Sequence, residues 1–258
     1  MVRGLYTAYT GMINQQYRLD TITNNLANSA TTGYKREGAT SKAFDEVLAV
    51  KVKDGSEAYI NRGIGNVSLG VKIGENYTDY SQGSFRSTGN TYDLALEGNG
   101  FFSISFTNRY GEESTKYTRD GSFITDNEGA LRTKDGDYVL GQGGEIYIPT
   151  DASEVSINAL GEIYADDMYI DTLDIVDFED YNYLKKYGEN MCESVDGAEM
   201  KDVTAKVHQG YLEASNVNVV SEMVEMITIT RAYESNQKII QSMDTMLEKS
   251  VNEVGRVM

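Results

Sequence analysis

The sequence predicts an α+β protein: a discontinuous stem of N- and C-terminal coiled-coil-like helices, with an antiparallel β domain inserted between them. Three observations carry that prediction. A run near each end repeats apolar residues in steps of mostly three and four, and the sequence between them changes to a period of two, with turn signals every ten residues or so. The predicted divisions are an N-terminal helix over 1–33, an extended linker over 34–76, the β domain over 77–209 and a C-terminal helix over 210–258.

At the N-terminus, Leu5, Tyr9, Met12, Leu19, Ile22 and Leu26 form a seam in which Gln16 fills the one polar slot. The helix is expected to fray near Asn24, Asn25 and Asn28, because asparagine favours caps and turns over helix interiors. SATTGYKREG, residues 29–38, reads as a turn, with Gly33 free to take positive φ. Lys42 to Val52 is helix-compatible, and Asp54 to Gly74 reads as extended, a stretch that can include strands, from its five glycines and the alternating Ile64, Val67, Leu69, Val71 and Ile73.

In the middle, TYDLALEGNGFFSISF gives a strand, a turn over Glu97 to Gly100 and a second strand from Phe101 to Phe106. Turns follow at Asp126 to Gly129 and at Asp135 and Gly136, the aspartate-glycine pair that suits a two-residue hairpin. Further strands are expected over Val155–Ile157, Glu162–Tyr164 and Tyr169–Val176.

At the C-terminus the seam is Val220, Met223, Ile227, Tyr233, Ile240, Met243, Leu247, Val251 and Val254, with the polar Thr230 and Gln237 in register. Its period is close to the ~3.5 residues of a coiled coil. No Pro or Gly interrupts it between Gly210 and Gly255, and Ser215, Asn216 or Ser221 can cap its start.

The charge narrows the possible functions. Forty acidic against 23 basic residues give a net charge of −17, which argues against a protein that grips nucleic-acid phosphates. Residues 151–200 alone hold 14 acids and two bases, the composition of a well-solvated surface. One cysteine, Cys192, forms no intrachain disulfide, and one histidine, His208, makes no multi-histidine metal site. No apolar run approaches the ~18 residues of a membrane span. The first residues lack the apolar core and cleavage site of a secretory signal, so a cytosolic protein or one exported by another route is expected.

Candidate chemical sites reduce to simpler readings. GIGNVSLG, residues 63–70, lacks the third glycine and the βαβ context of a phosphate loop. DNEG and DGD do not continue into the oxygen ligands of a calcium loop and read as hairpin turns. The acids from Asp166 to Asp180 are dense enough to yield a glycosidase-like pair by chance, and there is no Trp to serve as a sugar platform. No cofactor, metal or catalytic residue is predicted.

NNLANSATTGYKR, residues 24–36, resembles the N-terminal signature of bacterial flagellar rod and hook proteins, through Asn24, Asn25, Leu26, Ala27, Asn28, Gly33, Tyr34 and Lys35. LALEGNGFFSI, residues 94–104, resembles the opening of their β domain, and YTRDGSFITDNEGALRTKDGDYVLG, residues 117–141, is similar to their central hairpin segment. GYLEASNVNVVSEMVEMITITRAYESNQKIIQSMD, residues 210–244, is similar to their C-terminal signature, through Ser215, Asn216, Val217, Arg231, Ala232 and Tyr233. The departure is Asn190, Met191 and Cys192, where many relatives carry an aromatic.

The resemblance implies a structural subunit, distal rod type before proximal rod or hook. It would be exported unfolded through the flagellar type III apparatus without a cleaved signal, into the basal body. There it would polymerise with itself and with other rod and hook proteins into a hollow helical axis that transmits torque and conducts exported subunits. The terminal helices would line the channel, with the β domain outside.

Burying one apolar side chain is worth ~1.5–3 kcal/mol, and ordering one residue costs ~1–2 kcal/mol. A seam that is apolar at one position in three or four therefore breaks even at best alone, and the ends are expected to order only between neighbours. Two other classes compete: a cell-wall carbohydrate enzyme, which needs two specific carboxylates, and a binding module whose helices pair within one chain.

Overall fold

The computed structural model describes residues 2–51, 62–108, 110–188 and 190–254. They form two compact units, one from residues 1–26, 37–78 and 219–258, the other from 27–36 and 79–218.

The helical unit begins with α1 (Val2–Ala27), which stops inside the asparagine-rich stretch where the fraying was expected. Within residues 34–76, the expected extended linker, the described backbone is largely extended. Four strands lie there, β1 (Glu37–Ala43), β2 (Val47–Lys51), β3 (Arg62–Val67) and β4 (Val71–Thr78). β1 pairs antiparallel with β4, from Glu37 opposite Thr78 to Ala43 opposite Val71, and β2 pairs with β3. The helix-compatible reading of Lys42–Val52 is corrected accordingly, since the end of β1 and the whole of β2 lie in it; Val52 and the first part of the Asp54–Gly74 reading lie outside the described residues. The physical reason is pairing: Val47 and Val67 sit opposite each other, and β-branched residues suit a pleated ladder.

In the second unit the strands are β5 (Phe85–Ser87), β6 (Leu94–Glu97), β7 (Phe101–Thr107), β8 (Glu113–Thr118), β9 (Phe123–Thr125), β10 (Leu131–Thr133), β11 (Tyr138–Gly141) and β12 (Gly144–Glu145). There follow β13 (Val155–Ile157), β14 (Glu162–Ala165), β15 (Met168–Thr172), β16 (Ile175–Phe178), β17 (Leu184–Tyr187), β18 (Met191–Ser194), β19 (Met200–Lys201), β20 (Lys206–Gln209) and β21 (Tyr211–Glu213). Every pairing among them is antiparallel, and the largest sheet runs β17-β18-β8-β7-β11-β10-β9, with β12, β16 and β19 attached.

β7 organises two cores, because successive residues of a strand point to opposite faces. Phe102 goes to the larger core with Leu94, Phe123, Leu131, Val139 and Ile163. Phe101 goes to the smaller one with Tyr117, Phe178, Leu184 and Cys192. Edge-to-face rings lock each: Phe102 and Phe123 are 5.2 Å apart, Tyr117 and Phe178 5.0 Å.

β6 and β7 flank the Glu97–Gly100 turn, as expected; β6 pairs with β20, and β7 has β8, β11 and β16 as neighbours. Two local predictions are corrected here. The turn at Asp135–Gly136 is a three-residue loop, because Gly136 donates to the Thr133 carbonyl at 3.0 Å while Thr133 donates to Asp137 at 2.8 Å. Gly136, at φ +99°, supplies the left-handed residue this loop requires. The strand expected over Tyr169–Val176 divides into β15 and β16, which have different partners.

The C-terminal helix starts later than residue 210. β21 occupies Tyr211–Glu213, and α2 spans Val219–Lys249, with Glu222 in its first turn and a π-helical turn, Ser250–Val254, after it. Residues 255–258 of the predicted helix lie outside the described residues. Among the described residues no helix is long and apolar enough to cross a membrane.

Candidate functional site

The residues that carry the terminal signatures converge on a buried ionic cluster in the β-rich unit. Glu213, at the end of β21, is 1% exposed. One carboxylate oxygen accepts from Lys35 Nζ at 2.6 Å and from the Gly83 amide at 2.8 Å, and the other accepts from Arg119 Nη1 at 3.3 Å. Lys35 also donates to the Ser81 carbonyl at 2.9 Å, and Arg119 Nη2 donates to the Gly98 carbonyl at 2.7 Å. Burial pushes the Lys35 ammonium below its ordinary pKa, against the opposing pull of Glu213. A buried charge is tolerable only when paired and hydrogen-bonded, and each of these three is.

A second polar contact lies beside it. Asn216 accepts from the Arg36 amide at 2.8 Å and donates to the Asp79 carbonyl at 2.7 Å. Gly33 donates to the Glu213 carbonyl at 2.9 Å, and at φ +67° a Cβ would lie 2.5 Å from the Asp120 nitrogen, so only glycine fits. The segment after α1 and the segment before α2 are thus tied to each other and to the strands around them. Of the N-terminal signature, Asn25, Asn28, Gly33, Tyr34 and Lys35 are buried, Leu26 is half-buried, and Asn24 and Ala27 face solvent. Of the C-terminal one, Ser215, Asn216, Val217, Ala232 and Tyr233 are half-buried and Arg231 is exposed.

In the helical unit α1 and α2 meet antiparallel. A Cβ on Gly4 would lie 2.5 Å from Met243 Cε and one on Gly11 3.1 Å from Asn236 Nδ2; Arg18 pairs with Glu225 at 2.8 Å, and Asn25 donates to Glu222 at 3.2 Å. Asn25 also exchanges two hydrogen bonds with the Glu37 backbone, at 2.8 and 3.0 Å.

The α1 residues that make these contacts, Gly4, Gly11, Arg18 and Asn25, each lie one residue before a position of the expected seam, Leu5, Met12, Leu19 and Leu26. Small residues let two backbones approach closely, which an apolar count does not register. Leu5, Met12, Leu19 and Leu26 are half-buried at the margin of this row, and Tyr9 is exposed. On α2 the residues that meet α1 are Glu222, Glu225, Asn236 and Met243. Of the expected C-terminal seam, Tyr233, Ile240, Met243 and Leu247 are half-buried and Val220, Met223, Ile227 and Val251 are exposed; the Val254 side chain lies outside the described residues. The α1 contacts are spaced by sevens, two turns of helix apart.

Among the described residues no group of His, Cys, Asp and Glu could hold a metal ion. His208 sits on β20, paired with Glu97 at 2.8 Å. The ionic cluster itself was not foreseen. Lys35 belongs to the N-terminal signature, whereas Glu213 in YLE and Arg119 in KYTRD carry no local sign of burial.

Three family profiles match the chain: "Flagella basal body rod protein" over residues 5–35, "Flagellar hook protein FlgE/F/G D1 domain" over 95–165, and "Flagellar basal body rod FlgEFG protein C-terminal" over 208–253. The flagellar basal-body rod protein FlgG of Bacillus subtilis is 37% identical over 98% of this chain and 99% of its own length. The chain belongs to the flagellar basal-body rod proteins. FlgG of Agrobacterium fabrum is 36% identical over 95% of this chain and 97% of its own, and the basal-body rod protein FlgF of Caulobacter vibrioides is 32% identical over the whole of both. The first and last rod-protein profiles cover the two segments that meet at Lys35 and Glu213, so the family's terminal signatures coincide with the ionic cluster.

Proposed function

We propose that this chain is a FlgG-like structural subunit of the flagellar basal-body rod that polymerises, through its terminal helices, into a hollow helical axis transmitting torque to the hook. The near full-length likeness to FlgG carries this reading. The antiparallel meeting of α1 and α2, at Gly4, Gly11, Arg18 and Asn25 spaced by sevens, supports a coiled-coil-like stem, with residues 77–209 as the inserted β domain. The exposed Val220, Met223 and Ile227 support a seam completed by neighbours.

In this reading the subunit reaches the basal body through the flagellar export apparatus, unfolded, and the buried Lys35–Glu213–Arg119 cluster forms after passage. A head-to-tail contact that does not close into a ring yields the required helical polymer. The test is deletion of the gene in flagellated cells, followed by electron microscopy of purified basal bodies. Rods that stop short, with no hook, and that are restored by the intact gene support the reading; complete rods and hooks in the deletion strain overturn it.

A further inference from the structure

α1 presents three rows. One meets α2. A second faces the β1–β4 ladder: Thr7 donates to the Leu69 carbonyl at 3.4 Å, Asn14 accepts from Ser41 Oγ at 2.8 Å, and Asn76 bonds the Tyr17 hydroxyl. The third row, Tyr6, Tyr9 and Ile13, continued by Gln16 and Asp20, is exposed, with Tyr6 at 60%, and Tyr9 and Ile13 border a groove that Phe44, Val71 and Ile73 line on the ladder side. Its steps are three, four, three and four, the same period as the row that meets α2.

α2 has an uncovered row of the same kind. Val220, Val224 and Ile227 follow steps of four and three, and Val220 is 71% exposed. Beside them lies a groove of 590 Å³, lined by Gln15, Arg18, Val220, Val224, Thr228 and Ile229 among others. Its one charged pair, Arg18 with Glu225 at 2.8 Å, is internally neutralised, so the groove suits an uncharged, apolar occupant. Tyr6, Tyr9 and Ile13 are such a face, and their aromatic bodies are large enough to fill it.

We propose that the Val220, Val224 and Ile227 row of α2, with the groove beside it, receives the Tyr6, Tyr9 and Ile13 row of α1 from a second copy of this chain. The inference rests on the rod reading and specifies which faces meet. The shared 3.5-residue period lets the incoming helix extend the existing seam as a third helix. Each patch is on the order of a few hundred Å², so one contact falls short of the ~1,200 Å² of a stable pair. Every copy carries both patches and makes the contact twice, once in each role. Because the two patches differ, the contact propagates instead of closing a dimer.

The experiment is crosslinking in basal bodies isolated from cells whose only copy of the chain carries Tyr9→Cys and Val224→Cys. Cys192 is kept, because it is buried. A short bismaleimide is expected to give a ladder of covalent multimers from the double variant. Co-expressed single variants should give dimers only, and either single variant alone should give no product. Rods that contain the chain but give no ladder, an internally crosslinked monomer, or a link to a different protein would each overturn the inference while leaving the rod reading intact. Wild-type basal bodies that lack the chain would overturn the rod reading instead. Where the cysteines themselves prevent rods from forming, a charge pair decides. Tyr9→Lys and Val224→Glu should each abolish rods alone and restore them together, and failure to restore overturns the proposed contact.

Discussion

Replacing Glu213 with alanine removes the one carboxylate that neutralises two buried cations. Lys35 and Arg119 have side chains only 7% and 4% exposed, so water cannot substitute for the lost acceptor. Breaking a buried pair by deleting one partner costs ~3–5 kcal/mol, and leaving the Gly83 amide without its acceptor costs about 1–3 kcal/mol more where it cannot reach solvent. A loss of about 4 kcal/mol, with a urea dependence of ~2 kcal/mol per molar, lowers the unfolding midpoint of the β-rich unit by about 2 M. Urea unfolding followed by tyrosine fluorescence measures it. The second arm is Lys35→Met in the Glu213→Ala background, which removes one stranded cation and should recover part of the loss, a strong departure from additivity. A midpoint shift below about 0.5 M, or strictly additive effects of the two substitutions, would refute the cluster as the tie between the terminal segments.

Three further outcomes are expected. Gly33→Ala destabilises the same unit by at least ~2 kcal/mol, since alanine there combines left-handed backbone with a Cβ 2.5 Å from the Asp120 nitrogen; thermal unfolding reads this, and an unchanged midpoint would contradict the geometry. On α2, Ile229→Ala costs ~2–4 kcal/mol in the helical unit because Ile229 is buried, whereas Ile227→Asp, two residues away and exposed, leaves helix content unchanged by circular dichroism and abolishes rod assembly. Burial, reinforced by its 2.7 Å hydrogen bond to Asp177, raises the Tyr181 phenol above its ordinary 10.0. The folded state therefore holds this proton after the unfolded state has released it, so stability is complete below pH 10.0 and falls as pH rises past it. Tyr181→Phe should flatten that part of a stability profile measured from pH 9 upward.

The sequence carried α1, the DNEG hairpin and most strands of the β unit because these depend on local signals, an asparagine-rich stop or an apolar alternation beside a glycine turn. Strand partners were not legible: β6 finds β20 more than a hundred residues later, and nothing in LALE specifies KVHQ. The helix row was misplaced by one residue for a physical reason. Leu5, Tyr9 and Met12 outweigh Gly4, Ala8 and Gly11 on any hydrophobicity count, yet the small residues are those that let α2 approach. Gly4, Gly11, Arg18 and Asn25, spaced by sevens, were a usable signal. Glu213 was hidden for another reason: a buried ion pair needs partners from three distant segments, and each segment alone looks like an ordinary polar position.

Amide hydrogen exchange of α1 and α2, compared between the dilute purified chain and the same chain in isolated basal bodies, tests most directly whether the terminal helices form the polymer. The account predicts weaker protection of both helices in dilute solution than in basal bodies, and a β-rich unit equally protected in both. Equal protection of the helices in the two states would contradict it, since the helices would then have all their partners within a single chain.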